Sequence, residues 1–277
     1  MQNNYPLTNF KEIVDNEFSI RWVLFAYLVI RIGIVNLVYI IKGDDINVAY
    51  IYALELCVFL LGLLLIWMFR FDLKKANIDT ASMIIILLFT ILFQTSFSRS
   101  SSFFWIYYSV TTIAVLLISI ILWKNKHIPL QTPKIGLWLL ISILSTILLR
   151  IFIIFVYRFV QLPDLTLVNA PLSVFILQFR HAMGHSAIIE EPVFRGVLWG
   201  YLRKKGWRDQ RIFWFQAGLF WIAHVRYYSK PHILLITMPL GALLFGWLAW
   251  KSKTLAGSLL AHGLFNASSI FFYVNIP

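Results

Sequence analysis

The chain alternates between long apolar runs and short polar segments. A helix that crosses a membrane needs about 20 apolar residues, with a range of about 17–25. The pattern therefore predicts an all-α, polytopic membrane protein with about nine transmembrane helices. Eight is the alternative count, because the seventh run is short and the second and third are candidates for a partly interfacial position. The predicted spans are residues 22–41, 46–69, 80–98, 103–123, 135–157, 171–202, 211–226, 233–250 and 254–276.

Composition supports the membrane assignment. Hydrophobic residues make up 60% of the chain and charged residues only 13%, with a mean hydropathy of +0.78. A soluble domain is about half apolar and about a quarter charged. The net charge of +12 would suggest nucleic-acid binding in a soluble protein. Here the basic residues cluster between apolar runs, so the pattern favours contact with the lipid bilayer and no nucleic acid.

The distribution of basic residues predicts the orientation. Of the 24 Lys and Arg residues, 15 fall in segments on the same side as the N-terminus, 5 fall on the opposite side, and 4 lie inside spans. Loops on the cytoplasmic side of a membrane carry the excess of Lys and Arg. We therefore expect a multi-pass plasma-membrane protein with a cytoplasmic N-terminus and a C-terminus outside.

The chain divides into two parts by the character of its polar residues. Residues 1–170 are predicted to form lipid-facing transmembrane helices, and they contain no recognisable motif. Residues 171–277 hold five of the six histidines and most of the polar groups inside spans. Polar groups within membrane spans usually mark functional sites, so this second part is predicted to be the catalytic core.

Two adjacent glutamates, Glu190 and Glu191, lie in an apolar stretch and are followed by Pro192 and Arg195. In a regular helix Glu191 and Arg195 share a face, whereas Glu190 is rotated by about 100°. We expect Arg195 to neutralise Glu191 and Glu190 to point into a cavity, where it suits a general base. Proline should kink or restart the helix at this point. The alternative is a salt-bridge network that only packs helices.

Two further spacings place polar side chains at the same depth. Phe220 and His224 are four residues apart, as are His262 and Asn266, so each pair shares a helix face. A lone histidine on an apolar helix is usually a packing residue. At about 1.5 Å per residue, however, these groups and Glu190 all lie roughly 14–20 Å from the cytoplasmic face. Three helices thus place polar groups in one layer, which favours a shared site.

The remaining histidines and charged residues inside the predicted spans are not assigned to the shared site. In a regular helix His181 and His185 lie about 180° and 140° away from Glu190, which favours polar packing or cavity lining over a haem or metal pair. The others are expected to pair between helices or to extend toward the interface, without an assigned role. These are Arg31, Glu55, Arg150 and Arg180.

The run from Glu190 to Gly196, the Phe220-x-x-x-His224 pair and the His262-x-x-x-Asn266 pair resemble the three motifs of the CPBP intramembrane proteases. That family includes the CAAX prenyl proteases and bacteriocin-processing or bacteriocin-immunity enzymes, the Abi proteins. The resemblance covers about residues 170–270. It implies an intramembrane endopeptidase in which Glu190 and His224 activate water, His262 and Asn266 stabilise the oxyanion, and Glu191 and Arg195 support the site.

The resemblance also bears on cofactor and substrate. Family members are described both as metalloproteases and as glutamate-dependent enzymes without metal, so no cofactor is predicted to be obligatory. If zinc binds, its ligands would be Glu190, His224 and His262. The expected substrate is a membrane-associated protein or peptide, prenylated or leader-bearing, that enters from the cytoplasmic side or laterally from lipid. The alternatives are a non-catalytic immunity or scaffold protein on the same fold and a proton-coupled transporter.

Overall fold

The computed structural model describes residues 10–42, 48–94, 102–130, 132–160, 165–167 and 169–274. Within them the chain is almost entirely helical. The helices are α1 (Phe10–Leu28), α2 (Val35–Lys42), α3 (Val48–Met68), α4 (Thr80–Gln94), α5 (Ser102–Lys124), α6 (Ile135–Phe159), α7 (Leu172–Ala182), α8 (Ile188–Glu191), α9 (Leu198–Lys204), α10 (Asp209–Ile222), α11 (Met238–Ser252) and α12 (Ala256–Ala267). Two short strands, β1 (Leu165–Leu167) and β2 (Phe272–Val274), pair antiparallel.

Several helices continue into each other through turns of different pitch. Wider π-helical turns join α1 to α2, α7 to α8 and α8 to α9, and another precedes α11. They are Val29–Ile34, Met183–Ala187, Pro192–Val197 and Ile233–Thr237. Tighter 3₁₀ turns follow α3, α10 and α12, at Arg70–Asp72, Val225–Ser229 and Ser268–Phe271. π-helical turns inside α-helices occur frequently at functional sites.

Five described helical stretches are long and apolar enough to cross a membrane, which agrees with a multi-pass membrane protein. They are Phe18–Ile41, Tyr50–Met68, Trp105–Lys124, Ile135–Phe159 and Ile233–Ser252. A shorter apolar stretch spans Thr80–Leu92. The count of nine spans remains a prediction, and residues 46–47 and 95–98 of the predicted second and third spans lie outside the described part of the chain.

The predicted ninth span, 254–276, is wrong over residues 268–274, and its residues 275–276 lie outside the described part of the chain. α12 ends at Ala267, and the chain then passes through a 3₁₀ turn into β2. Ser268 Oγ donates to the carbonyl of Phe265, and Ser269 Oγ donates to that of Asn266. Serine side chains that bond to nearby carbonyls compete with continued helix formation, which accounts for the early end.

The sixth apolar run forms one continuous helical path from α7 to α9. The expected restart at Pro192 does not occur, because Glu191 and Pro192 both keep right-handed helical dihedrals. Pro192 instead begins the π-helical turn at the start of the second half of this path. Proline removes one backbone donor from the interior of a helix, and the π-helical turn is the local departure from regular α-helical bonding at this point.

The helices have two distinct ends. At the first, here called the basic end, the segments 69–79, 203–209 and 252–255 meet. Lys204 Nζ lies 2.8 Å from Asp72 Oδ2, and Lys253 Nζ lies 2.6 Å from Asp209 Oδ2. The opposite end, here called the strand end, carries the β1–β2 pair and the segment 223–232.

The centre of the core lies around the middle of the sixth run. Every residue from 187 to 200 is buried. α12 packs against α6, α7 and α11, and α10 packs against α11, so these helices surround that segment. The side of the core toward the basic end is closed by the segment 69–79, whose Asn77 donates to the carbonyl of Arg195.

Candidate active site

Glu190 forms a buried ion pair with Arg31, which lies in the π-helical turn between α1 and α2. Glu190 is 2% exposed and Arg31 4%. Arg31 Nη2 donates to Oε1 of the carboxylate. The other oxygen, Oε2, accepts no hydrogen bond from the described residues and lies 3.8 Å from Nε2 of His224. The carboxylate is thus anchored through one oxygen, and the second remains available for chemistry.

The tautomer of His224 follows from its hydrogen bond to the backbone. Its Nδ1 lies 2.7 Å from the carbonyl oxygen of Phe220, one turn earlier in α10. Because a carbonyl can only accept, Nδ1 carries the proton. In a neutral imidazole Nε2 is then a proton acceptor, and this is the atom that faces Glu190.

Glu191 belongs to a separate buried pair, as the four-residue spacing predicted. Its Oε1 accepts from Arg195 Nη1 at 3.0 Å and from His262 Nδ1 at 2.8 Å. Glu191 and Arg195 are both 0% exposed. The second glutamate therefore neutralises the arginine and orients the imidazole of α12, and the Nε2 of His262 is left for other partners.

Phe220 connects the three motifs. The guanidinium of Arg195 lies 3.9 Å from the centroid of its ring. The ring centroids of His224 and His262 lie 4.5 Å and 5.9 Å away. An arginine stacked on an aromatic face gains cation–π attraction, and the effect is larger where water is excluded. The aromatic residue of the second motif therefore holds parts of all three motifs together.

A cavity of about 540 Å³ lies beside these residues. Glu190, His224, His262 and Asn266 all line it, so the structure brings together the four side chains whose shared depth the sequence indicated. The rest of the lining is rich in basic and hydroxyl groups. It includes Arg150, Tyr157, His181, Arg226, Lys230, His232 and Thr237.

The cavity extends toward the strand end. Its lining comes from the second half of α6, the first half of the sixth run, the segment that follows α10 and the last turns of α12. Lys230 and Ser269, at its edge, are exposed. None of the lining residues belongs to the segments that form the basic end. The described opening therefore lies away from the basic loops, from whose side or laterally from lipid the sequence had suggested entry, and lateral entry stays a prediction.

His181 lines the same cavity as Glu190, although regular helical geometry places it on the opposite face. The π-helical turn Met183–Ala187 lies between the two residues. Its turns contain more residues than α-helical turns, so each residue rotates the chain less and the phase of the helix changes. His185 instead contacts Glu55 of α3, with 2.5 Å between Nε2 and Oε2.

Sequence reasoning missed the role of Arg31. It marked this arginine as a buried charge to be paired between helices, but nothing in the spacing of residues 31 and 190 links the two. The only available signal was the presence of an arginine in an apolar run, which is costly unless an acid neutralises it.

The residues named as zinc ligands do not form a metal centre. Among the described residues, no group of three or more His, Cys, Asp or Glu side chains is arranged to hold an ion. Glu190 is bound through Oε1 to Arg31, and His262 is bound through Nδ1 to Glu191. One polar atom of Glu190 and one of His262 are thus committed to charged partners, whereas Glu190 Oε2 and the Nε2 atoms of both histidines are the atoms that would hold an ion.

Fold and site together define a polytopic helical membrane protein with a buried carboxylate–imidazole centre. Residues 172–268 match the model of the Rce1-like family, described as type II CAAX prenyl endopeptidase Rce1-like. This match to a family of CAAX proteases agrees with the resemblance of the three motifs. No curated protein and no solved structure matches the chain.

Proposed function

We propose that the protein is an intramembrane endopeptidase in which Glu190 and His224 activate water for attack on a peptide bond. The observation that carries this proposal is the gap of 3.8 Å between Glu190 Oε2 and His224 Nε2. This distance is too long for a direct hydrogen bond. A water molecule that donates one hydrogen to each of these acceptors keeps a lone pair for the carbonyl carbon of the substrate.

The proton balance of the reaction is simple in this arrangement. As the water oxygen bonds to the carbonyl carbon, Glu190 takes up one of its protons. The tetrahedral intermediate collapses when the C–N bond breaks, and the same proton passes to the leaving amine. Arg31 keeps the carboxylate in one orientation through Oε1, so that Oε2 faces the water in every cycle.

His262 and Asn266 are proposed to stabilise the oxyanion. Both line the cavity and lie one turn apart on α12. The amide of Asn266 can donate directly to a developing negative charge. His262 can donate through Nε2 in its imidazolium form, for which the Glu191 carboxylate, 2.8 Å from Nδ1, provides the counter-charge.

The proposed substrate is a membrane-associated protein or peptide. Two observations support this proposal. The site lies in a buried layer of the helices, and residues 172–268 match the model of a CAAX protease family. Prenylated and unprenylated peptides anchored in the same bilayer distinguish a requirement for the lipid group from a requirement for membrane attachment alone.

The test compares purified wild-type protein, Glu190→Gln and His224→Ala with these peptides in lipid nanodiscs. Loss of a general base typically costs about 10²–10⁴-fold in rate, and this range is expected for Glu190→Gln. Glu55→Gln is the matched control, because it removes a buried carboxylate that does not line the cavity. If Glu190→Gln cleaved as fast as wild type while remaining folded, the proposal would be wrong.

A further inference from the structure

The position of the cavity opening restricts the side of the membrane from which a substrate can enter. From Glu190 toward the basic end, the residues up to Gly200 are buried without interruption. Gly196 and Gly200 lie against the segment 69–79. A Cβ atom added to Gly196 would lie only 3.3 Å from the carbonyl oxygen of Ala76. The core is therefore closed on this side.

Toward the strand end the same site is open. The lining passes from Glu190 through Ser186 and His181 of the sixth run to the exposed residues Lys230 and Ser269. Each helix that contributes to the lining does so with the half that is nearer the strand end. The described cavity therefore gives access to Glu190 from this end.

The charge of the two ends assigns them to sides of the membrane. The segments at the basic end, with the loop 125–134 that precedes α6, carry 10 of the 24 Lys and Arg residues, and Lys124, Arg211 and Lys251 lie within two residues of these segments. The contacts of Lys204 with Asp72 and of Lys253 with Asp209 hold three of these segments together at one end. An excess of Lys and Arg in short loops marks the cytoplasmic side.

We propose that the cavity opens to the extracytoplasmic side and that the enzyme cleaves a peptide segment presented from that side. The substrate class is then an exported peptide or a membrane protein with its cleavage site in the outer part of the bilayer. A prenylated tail in the cytoplasm does not belong to this class. The choice of substrate rests on the proposed endopeptidase function, whereas the direction of the opening does not.

Thiol labelling tests the opening independently of catalysis. Cys57 is the only cysteine of the chain, so Cys57→Ser provides a thiol-free background. Single cysteines are introduced as Ser186→Cys inside the cavity, Lys205→Cys at the basic end and Ser258→Cys in the closed core. Intact cells are treated with a membrane-impermeant anionic methanethiosulfonate, before and after permeabilisation.

The proposal expects Ser186→Cys to react in intact cells, Lys205→Cys only after permeabilisation, and Ser258→Cys in neither case. Reaction of Ser186→Cys only after permeabilisation, or in neither condition, overturns the proposed opening. Reaction of Lys205→Cys in intact cells overturns the assignment of sides. Retention of a native-like melting temperature by each variant is the criterion for including it.

Two model substrates then address the cleavage side. Each carries the same peptide segment next to a single transmembrane anchor, in one case outside and in the other in the cytoplasm. Cleavage of the outer segment alone, dependent on Glu190, is expected. Cleavage of the cytoplasmic segment alone overturns the substrate class. If neither is cleaved, the endopeptidase function fails and the labelling result still decides the direction of the opening.

Discussion

Arg31 and Glu190 form an ion pair across 159 positions of sequence, and both are buried. Arg31 lies outside residues 172–268, the part of the chain that matches the protease family. The N-terminal helices therefore supply a contact to the carboxylate that we propose as the base. The same contact explains how an apolar helix accommodates this arginine, because either charge alone would be buried without compensation.

Arg31→Gln should lower kcat by at least about tenfold with a much smaller change in KM, because the carboxylate loses its orientation but the rest of the cavity is intact. Arg31→Lys should restore part of the rate, since it returns a positive charge with different geometry. The measurement is steady-state cleavage in nanodiscs. Arg180→Gln is the control, because Arg180 bonds to the carbonyl of Leu92 and does not line the cavity. An unchanged kcat in Arg31→Gln would contradict the role.

The stability of the same variants should be non-additive. Breaking a buried ion pair by removing one partner costs about 3–5 kcal/mol, whereas removing both charges costs much less. We therefore expect the double variant Arg31→Gln/Glu190→Gln to unfold at a higher temperature than Arg31→Gln alone. Thermal unfolding of the detergent-solubilised protein measures this, and equal or lower stability of the double variant would argue against a direct pair.

Chelation should leave the cleavage rate unchanged. Glu190 and His262, two of the three candidate zinc ligands, are each bound to a charged partner within the protein. The experiment removes metal from the purified protein, verifies the removal by elemental analysis and measures cleavage of an anchored peptide. Loss of activity that returns on addition of zinc alone would contradict this prediction and show that the reaction depends on the ion.

Gly200→Ala should destabilise the protein by about 1–3 kcal/mol, the usual cost of overpacking. A Cβ at this position would lie 2.7 Å from Cε1 of Phe69 and 3.0 Å from the amide nitrogen of Ala76. Gly218→Ala in α10 is the matched control, because no atom lies within 4 Å of the added carbon. Alanine is the better helix former, so Gly218→Ala should be neutral or stabilising. A similar shift in melting temperature for both variants would refute the close packing at Gly200.

Acidification should weaken the basic end through Asp209. Burial raises the pKa of this carboxyl, but hydrogen bonds from Arg203, Lys253 and Trp199 lower the pKa by more than burial raises it. The pKa of Asp209 in the folded protein is therefore below its usual value. The stabilisation is therefore fully present above the unfolded pKa, about 3.9, and is lost as the pH falls toward the folded value. The melting temperature of wild type should drop between about pH 5 and pH 2.

Asp209→Asn is the control for this prediction, because it cannot titrate and should show a smaller decrease over the same range. Asp72 behaves in the same direction: burial raises its pKa, but hydrogen bonds from Lys204 and Lys75 lower it more. Part of the decrease therefore persists in Asp209→Asn. Identical pH profiles of the variant and wild type would show that Asp209 does not contribute.

The sequence by itself determined the helical membrane architecture, because lipid requires long apolar helices whose backbone bonds are internal. It also predicted the pair of Glu191 with Arg195, since residues four apart in a helix are neighbours regardless of the surrounding fold. The common depth of Glu190, His224 and His262 followed from counting residues to the nearest basic loop. All of these depend on local periodicity or on distance along one helix.

The tertiary structure decided what depends on the rotation and packing of different helices. The position of His181 in the cavity depends on a π-helical turn that changes the helix phase, and the end of α12 depends on local serine bonds. The choice of Arg31 as the partner of Glu190 needs two segments far apart in the sequence to meet. The direction of the cavity, closed at the basic end and open at the strand end, likewise arises only when all the helices are assembled, because no single segment encloses it.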